Sequence, residues 1–183
     1  MNEIALALGG GGVKGLAHIG VIRTLEKEGF QIKAISGTSA GGIVGCLYAA
    51  GYSPDEIENS FSMIEPSSKT LARDPGDEPS LLGLHGLAQA LIKLLPSKTF
   101  SDLSIPFACT AVDIQSGQEI TLNRGSVAEA IMGSVAVPGI FPPKILGPFT
   151  LIDGGVLDPV PVAVARWLAP GTPIVAVCLT PPA

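Results

Sequence analysis

The sequence of 183 residues predicts an α/β fold, a three-layer sandwich around a mostly parallel central sheet. Three observations lead there. Short apolar strands alternate with helical segments, which is how a parallel sheet and its covering helices are laid down along a chain. Hydrophobic residues make up 46% of the sequence, yet Gly, Pro and polar residues interrupt each apolar run before the roughly 18 residues needed to span a bilayer. The apolar excess therefore belongs to buried strands and the helices that cover them. The length suits a single domain over residues 1–183.

Residues 4–8 form an apolar run ending in Gly9, Gly10, Gly11 and Gly12, and residues 14–28 carry Leu16, Ile19, Ile22 and Leu25 at helical spacing. The chain thus opens strand, glycine loop, helix. Residues 32–36 repeat the pattern with a strand, the turn Gly37-Thr38-Ser39, and a nearly all-apolar helix over 40–50 that stops at Gly51. Ser53, Pro54 and Glu56 make a capping box for another helix, and residues 65–80, rich in Pro, Ser and Asp, read as a loop. Residues 81–95 carry leucines around most of a helix, with His85, Gln89 and Lys93 as a narrow polar stripe. That segment could dock on a membrane or shape an acyl-chain pocket, but burial against the sheet or at a homo-oligomer contact is the expected use. Strands over 107–113 and 118–122 flank Gln115-Ser116-Gly117, Ser126 with Glu129 makes a second capping box, and a Pro-rich stretch runs to Pro148. A strand over 149–152 stops at Asp153-Gly154-Gly155, a helix comes next over 161–168, and a last strand covers 174–179.

A net charge of -5 with no cluster of Lys and Arg excludes nucleic acid as a main partner and predicts weak attraction to an anionic membrane surface. Cys46, Cys109 and Cys178 are widely spaced among apolar or small residues, so all three are expected to be reduced core residues. The N-terminus shows neither a basic region nor a cleavage site, which makes the cytoplasm the expected compartment.

The loop from Gly9 to Gly15 sets backbone N–H groups at a strand end before a helix, where they can bind a phosphate or a transient oxyanion. Gly10, Gly12 and Gly15 also satisfy GxGxxG, but dinucleotide binding requires an acidic residue ending the second strand, and that strand ends at Ser36-Gly37. A phosphate loop of the Walker type needs Ser or Thr after Lys14, where Gly15 stands. Gly37-Thr38-Ser39-Ala40-Gly41 is a GxSxG between strand and helix, the setting of a nucleophile elbow; the N–H of Ala40 would then point at the same oxyanion. A serine hydroxyl needs a base, and the usual histidine is hard to supply. Only His18 and His85 exist, and none comes after the acid as α/β-hydrolases require. Asp153 ends a strand and precedes two glycines that admit close backbone, so it can face a serine from another strand end. Asp113 and Asp158 fit turn residues that bond their own backbone. The histidines and cysteines lack metal-ligand spacing, and the chemistry calls for neither metal nor cofactor.

GGGVKG at residues 10–15, GTSAG at 37–41 and DGG at 153–155 together resemble the patatin-like phospholipase family, closest to its small bacterial single-domain members. Gly133-Ser134-Val135-Ala136-Val137-Pro138-Gly139-Ile140-Phe141-Pro142-Pro143 resembles that family's proline block, and Val160-Pro161-Val162 resembles the family's stretch just after its aspartate. The resemblance implies a patatin-like fold and a dyad without histidine: Ser39 attacks an ester carbonyl and Asp153 takes its proton, giving an acyl-enzyme that water hydrolyses. It also implies an oxyanion hole at Gly10, Gly11 and Gly12, with Lys14 at the motif's basic position. Gly15, Gly37, Gly41, Gly154 and Gly155 support the motifs. A lipid or other carboxylic ester is the expected partner, with transient membrane-surface contact. The alternative is a regulatory or interaction module that keeps the fold without turnover. Family members usually continue beyond a strand such as 174–179, so a C-terminal extension belongs to the expectation.

Overall fold

The computed structural model describes residues 2–64, 80–95 and 98–179. Among these residues seven strands form one sheet: β1 (Glu3–Leu8), β2 (Gln31–Thr38), β3 (Phe107–Asp113), β4 (Gln118–Leu122), β5 (Lys144–Leu146), β6 (Phe149–Asp153) and β7 (Ile174–Val177). Their order is β5-β6-β3-β2-β1-β7, with β4 also paired to β3. The pairs β7–β1, β1–β2 and β2–β3 are parallel; β4 and β6 run antiparallel to β3, and β5 antiparallel to β6. Five strands therefore share one direction, and β4 and β6 oppose them. Strand β5 is not legible in the Pro-rich stretch, because three residues carry no periodicity of their own.

Along β1 the large side chains Ile4, Leu6 and Leu8 fall on one face and Ala5 and Ala7 on the other, as strand alternation dictates. The large face meets the main core. There α1 (Leu16–Lys27) contributes Ile19 and Ile22, and α2 (Ala40–Ala49) is buried over nearly its whole length. α3 (Pro54–Ile64), α4 (His85–Leu94) and α5 (Val127–Ser134) complete that layer. The alanine face accommodates α6 (Val162–Leu168), which packs on β1 and β2 with Val164 and Ala165 buried. Sheet and two helical layers match the expected three-layer arrangement.

The Ser53–Glu56 box closes both ways, the Ser53 N–H meeting Glu56 Oε2 at 2.8 Å and the Glu56 N–H meeting Ser53 Oγ at 3.3 Å. Only half of the second box forms. Ser126 Oγ accepts the Glu129 N–H at 3.4 Å, while the Glu129 carboxylate pairs with Lys144 at 3.1 Å. Helix α4 buries Leu87, Ala90 and Leu91 against α3 and α5, and His85 bonds Gln89 on its exposed stripe. Burial pushes the Cys46 and Cys109 thiols up, as core residues; Cys178, by contrast, is exposed just past β7. The residues expected to form the loop at 65–80 lie, except Ser80, outside the described residues. Among the described residues no helix is long and apolar enough to cross a membrane.

Candidate active site

The site is a product of sheet topology. β2 pairs with β3 over Phe107 to Thr110, and β6 pairs with β3 over Ala111 to Asp113. β4 spans Cys109 to Asp113 and overlaps both, so it takes the other edge, leaving β2 and β6 to share one. Running in opposite directions along that edge, the two strands meet end to end. Thr38 sits opposite Thr110 and Asp153 opposite Ala111, which brings Ser39 and Asp153 together.

At that junction the chain must leave β2 sharply to start α2. Ser39 absorbs the turn with φ 53 and ψ -119, the only non-glycine at positive φ among the described residues. The flanking glycines are dictated by close approach. A Cβ on Gly37 would lie 2.6 Å from the Gly41 carbonyl oxygen, and one on Gly41 would overlap that of Leu8. Gly15 is held likewise, with 2.7 Å to the Ala40 Cβ. The Ser39 N–H donates to Ser134 Oγ at 3.0 Å. Ala40 opens α2, so the positive end of the helix dipole faces this point.

Asp153 is buried. Its N–H donates to the Ala136 carbonyl at 2.9 Å, and its Oδ1 accepts the Gly155 N–H at 2.7 Å. Gly154 is pressed onto β3, where an added Cβ would lie 2.5 Å from the Thr110 carbonyl oxygen. Thr38 Oγ1 donates to the Asp158 carbonyl at 2.9 Å and therefore accepts from Thr110 Oγ1 at 2.7 Å. Burial holds the Asp153 carboxyl above the usual carboxylate range, opposed by the bonds from Ser39 and Gly155. A raised pKa makes the carboxylate a better proton acceptor.

The glycine loop passes beside Ser39, since a Cβ on Gly10 would lie 3.5 Å from the Ser39 Cβ. Two long-range bonds tie it down: Gly9 N–H to Val177 and Gly10 N–H to Pro159, both 2.9 Å. His18 is buried and donates from Nε2 to the Gly9 carbonyl at 2.7 Å, while its Nδ1 has no hydrogen-bond partner. Desolvation lowers its pKa. Gly12 turns at φ 57, and Lys14 extends into solvent. Gly155 is exposed beside Asp153.

Asp113 behaves as a turn residue. Asp113 accepts from Ser116 and from the Thr150 N–H, and these bonds hold its pKa down. Burial raises the pKa of Asp158. Ser134, Ala136 and the Thr38–Thr110 pair join the site without standing out in the sequence as site residues. For Ser134 a signal does exist, as the one hydroxyl within an otherwise apolar helical end, IMGS.

A serine on a strand-to-helix elbow, facing a buried aspartate across abutting strand ends, defines an α/β protein of the strand-elbow-helix class. Within that class the chain belongs to the patatin-like phospholipase family, whose profile matches residues 6–166. It is 34% identical over 161 residues to an NTE family protein of Mycobacterium tuberculosis, covering 88% of this chain and 45% of the relative. A lysophospholipase of Mycosarcoma maydis is 33% identical over 169 residues, covering 88% of this chain and 9% of that protein. The chain thus spans less than half the length of either relative. VipD of Legionella pneumophila shares the fold with a TM-score of 0.62 at 16% identity, over 86% of this chain and 47% of that one.

Proposed function

We propose that the protein is a serine acyl hydrolase that cleaves lipid carboxylic esters through an acyl-enzyme. The observation that carries this reading is the meeting of Ser39, on a strand-to-helix elbow at φ 53, with the buried Asp153 where the ends of β2 and β6 abut along β3. His18 is turned to Gly9 and His85 to Gln89, so Asp153 is the base in reach.

Ser39 Oγ attacks the ester carbonyl carbon as Asp153 takes its proton. Negative charge then collects on the carbonyl oxygen. Gly11, Gly12 and Ala40 N–H groups receive it; the Gly10 N–H, already donated to Pro159, holds the loop in place instead. Collapse breaks the bond to the leaving alkoxide, which takes the proton from Asp153. Asp153 next draws a proton from water, whose oxygen attacks the acyl carbon. Loss of the Ser39 alkoxide frees the fatty acid, and Ser39 regains the proton.

The lipid class is supported by the family and by the name of the fungal relative. It is supported too by Val13, Val156 and Leu157, each over half exposed, beside the glycine loop and the Asp-Gly-Gly turn. Apolar side chains there suit acyl chains and transient contact with a lipid surface. The test is hydrolysis of a lysophospholipid and of p-nitrophenyl esters of graded chain length. Wild type is expected to favour long acyl chains, and Ser39→Ala and Asp153→Asn to lose about 100-fold or more while remaining folded. An Asp153→Asn protein with full activity sinks the dyad, and activity indifferent to Ser39→Ala points to a non-catalytic module.

A further inference from the structure

The two dyad side chains come from different strands, and the gap between strand ends carries no ladder bond of its own. One tripeptide touches both backbones. Ser134 Oγ accepts the Ser39 N–H at 3.0 Å, and two residues on, the Ala136 carbonyl accepts the Asp153 N–H at 2.9 Å. We propose that residues 134–136, at the end of α5, are the spacer that sets Ser39 against Asp153, and that Ser134 is a positioning residue for the nucleophile. This rests on the dyad reading above.

The spacer is wedged from both sides. A Cβ on Gly133 would lie 2.9 Å from Leu151 Cδ1, so α5 rides directly on β6. A Cβ on Gly42 would lie 3.3 Å from Ile131 Cδ1 and 3.5 Å from Ser134 Oγ, so the same helix presses on α2. Ser134 is fully buried, and Val135 N–H to Ile131 at 3.0 Å and Ala136 N–H to Gly133 at 3.4 Å lock the turn that joins the two contacts. The elbow at Ser39 turns its N–H out of the β2–β3 ladder, and a buried N–H demands an acceptor. Ser134 supplies it, which fixes the nucleophile's backbone and leaves the Ala40 N–H to the oxyanion. Small displacements at a reacting centre cost rate steeply, about 100-fold for 1 Å.

The experiment compares wild type, Ser134→Ala and Ser134→Thr by turnover of a soluble p-nitrophenyl ester and by amide hydrogen exchange in the folded proteins. Ser134→Ala is expected to lower kcat about 10- to 100-fold with KM within about twofold, and to speed exchange of the Ser39 amide about tenfold or more, leaving β1 amides unchanged. Ser134→Thr, which keeps the hydroxyl, is expected to recover both. Ser134→Cys, near in volume but a weak acceptor, is run beside them in case the Ala variant does not fold, with the same expectation as Ala. Wild-type kcat in Ser134→Ala, or a kcat loss without faster Ser39 exchange, overturns the proposal. Absence of turnover in wild type would instead count against the dyad reading, and the exchange arm would still decide whether Ser134 holds Ser39.

Discussion

Replacing Ser39 separates chemistry from strain. Both Ser39→Ala and Ser39→Gly remove the hydroxyl proposed as the nucleophile, so both are expected to abolish ester hydrolysis. They differ only in the Cβ. At φ 53 and ψ -119 a residue with a Cβ carries about 1–3 kcal/mol of strain, which glycine relieves. Glycine gives back about 0.5–1 kcal/mol as entropy of the unfolded chain. The net gain of Gly over Ala is therefore about 1 kcal/mol, between extremes of about 0 and 2.5, and at about 2–4 °C per kcal/mol for a domain of this size it amounts to about 2–4 °C in Tm, at most about 10 °C. Thermal unfolding followed by circular dichroism at neutral pH reads it directly. An Ala variant that melts at or above the Gly variant would refute the claim that this elbow stores strain.

Four further outcomes are expected. The folded pKa of Asp153 is raised, so its stabilising contribution is present below the unfolded value of 3.8 and lost as pH rises through the folded value. At neutral pH the ionised group costs stability; Asp153→Asn should therefore raise Tm there while abolishing turnover, with the Tm difference shrinking on acidification. The acid limb of wild-type kcat/KM should fall above 3.8, where Asp153 ionises. His18 has the opposite sign: its folded pKa is lowered, so stability is lost as pH falls from the unfolded value of 6.5 toward the folded one, and His18→Gln should flatten the dependence of Tm on pH below 6.5. Gly154→Ala should prevent soluble expression or lower Tm by several degrees, because its Cβ would meet the Thr110 carbonyl oxygen at 2.5 Å. A Gly154→Ala protein with wild-type Tm would show that β3 and β6 can separate at no cost.

The strands and helices of the βα units were legible because their apolar runs and turns are local. The same is true of Ser39 and Asp153, whose glycine neighbours announce backbone crowded against other chain: Gly41 against Leu8, and Gly154 against Thr110. What stayed hidden depends on contacts far apart in sequence. The Gly10 N–H reads as an oxyanion donor until Pro159, brought in from the far side of the chain, takes it. Glu129 completes a capping box on paper, but Lys144 on β5 draws its carboxylate away. Cys178 reads as core because its neighbours are apolar, yet it lies beyond β7, the last strand in the sheet order, and is exposed. The reversal of β6 against β3, which aims Asp153 at Ser39, is a property of pairing that residue pattern does not encode.

The central claim is that Asp153 activates Ser39. The most direct measurement is the rate and position of labelling by a serine-directed fluorophosphonate, read by intact and peptide mass on wild type and Asp153→Asn. A single adduct on the peptide carrying Ser39, formed about 100-fold or more slowly in Asp153→Asn, is the predicted result. An adduct elsewhere, or equal labelling of the two folded proteins, would contradict it.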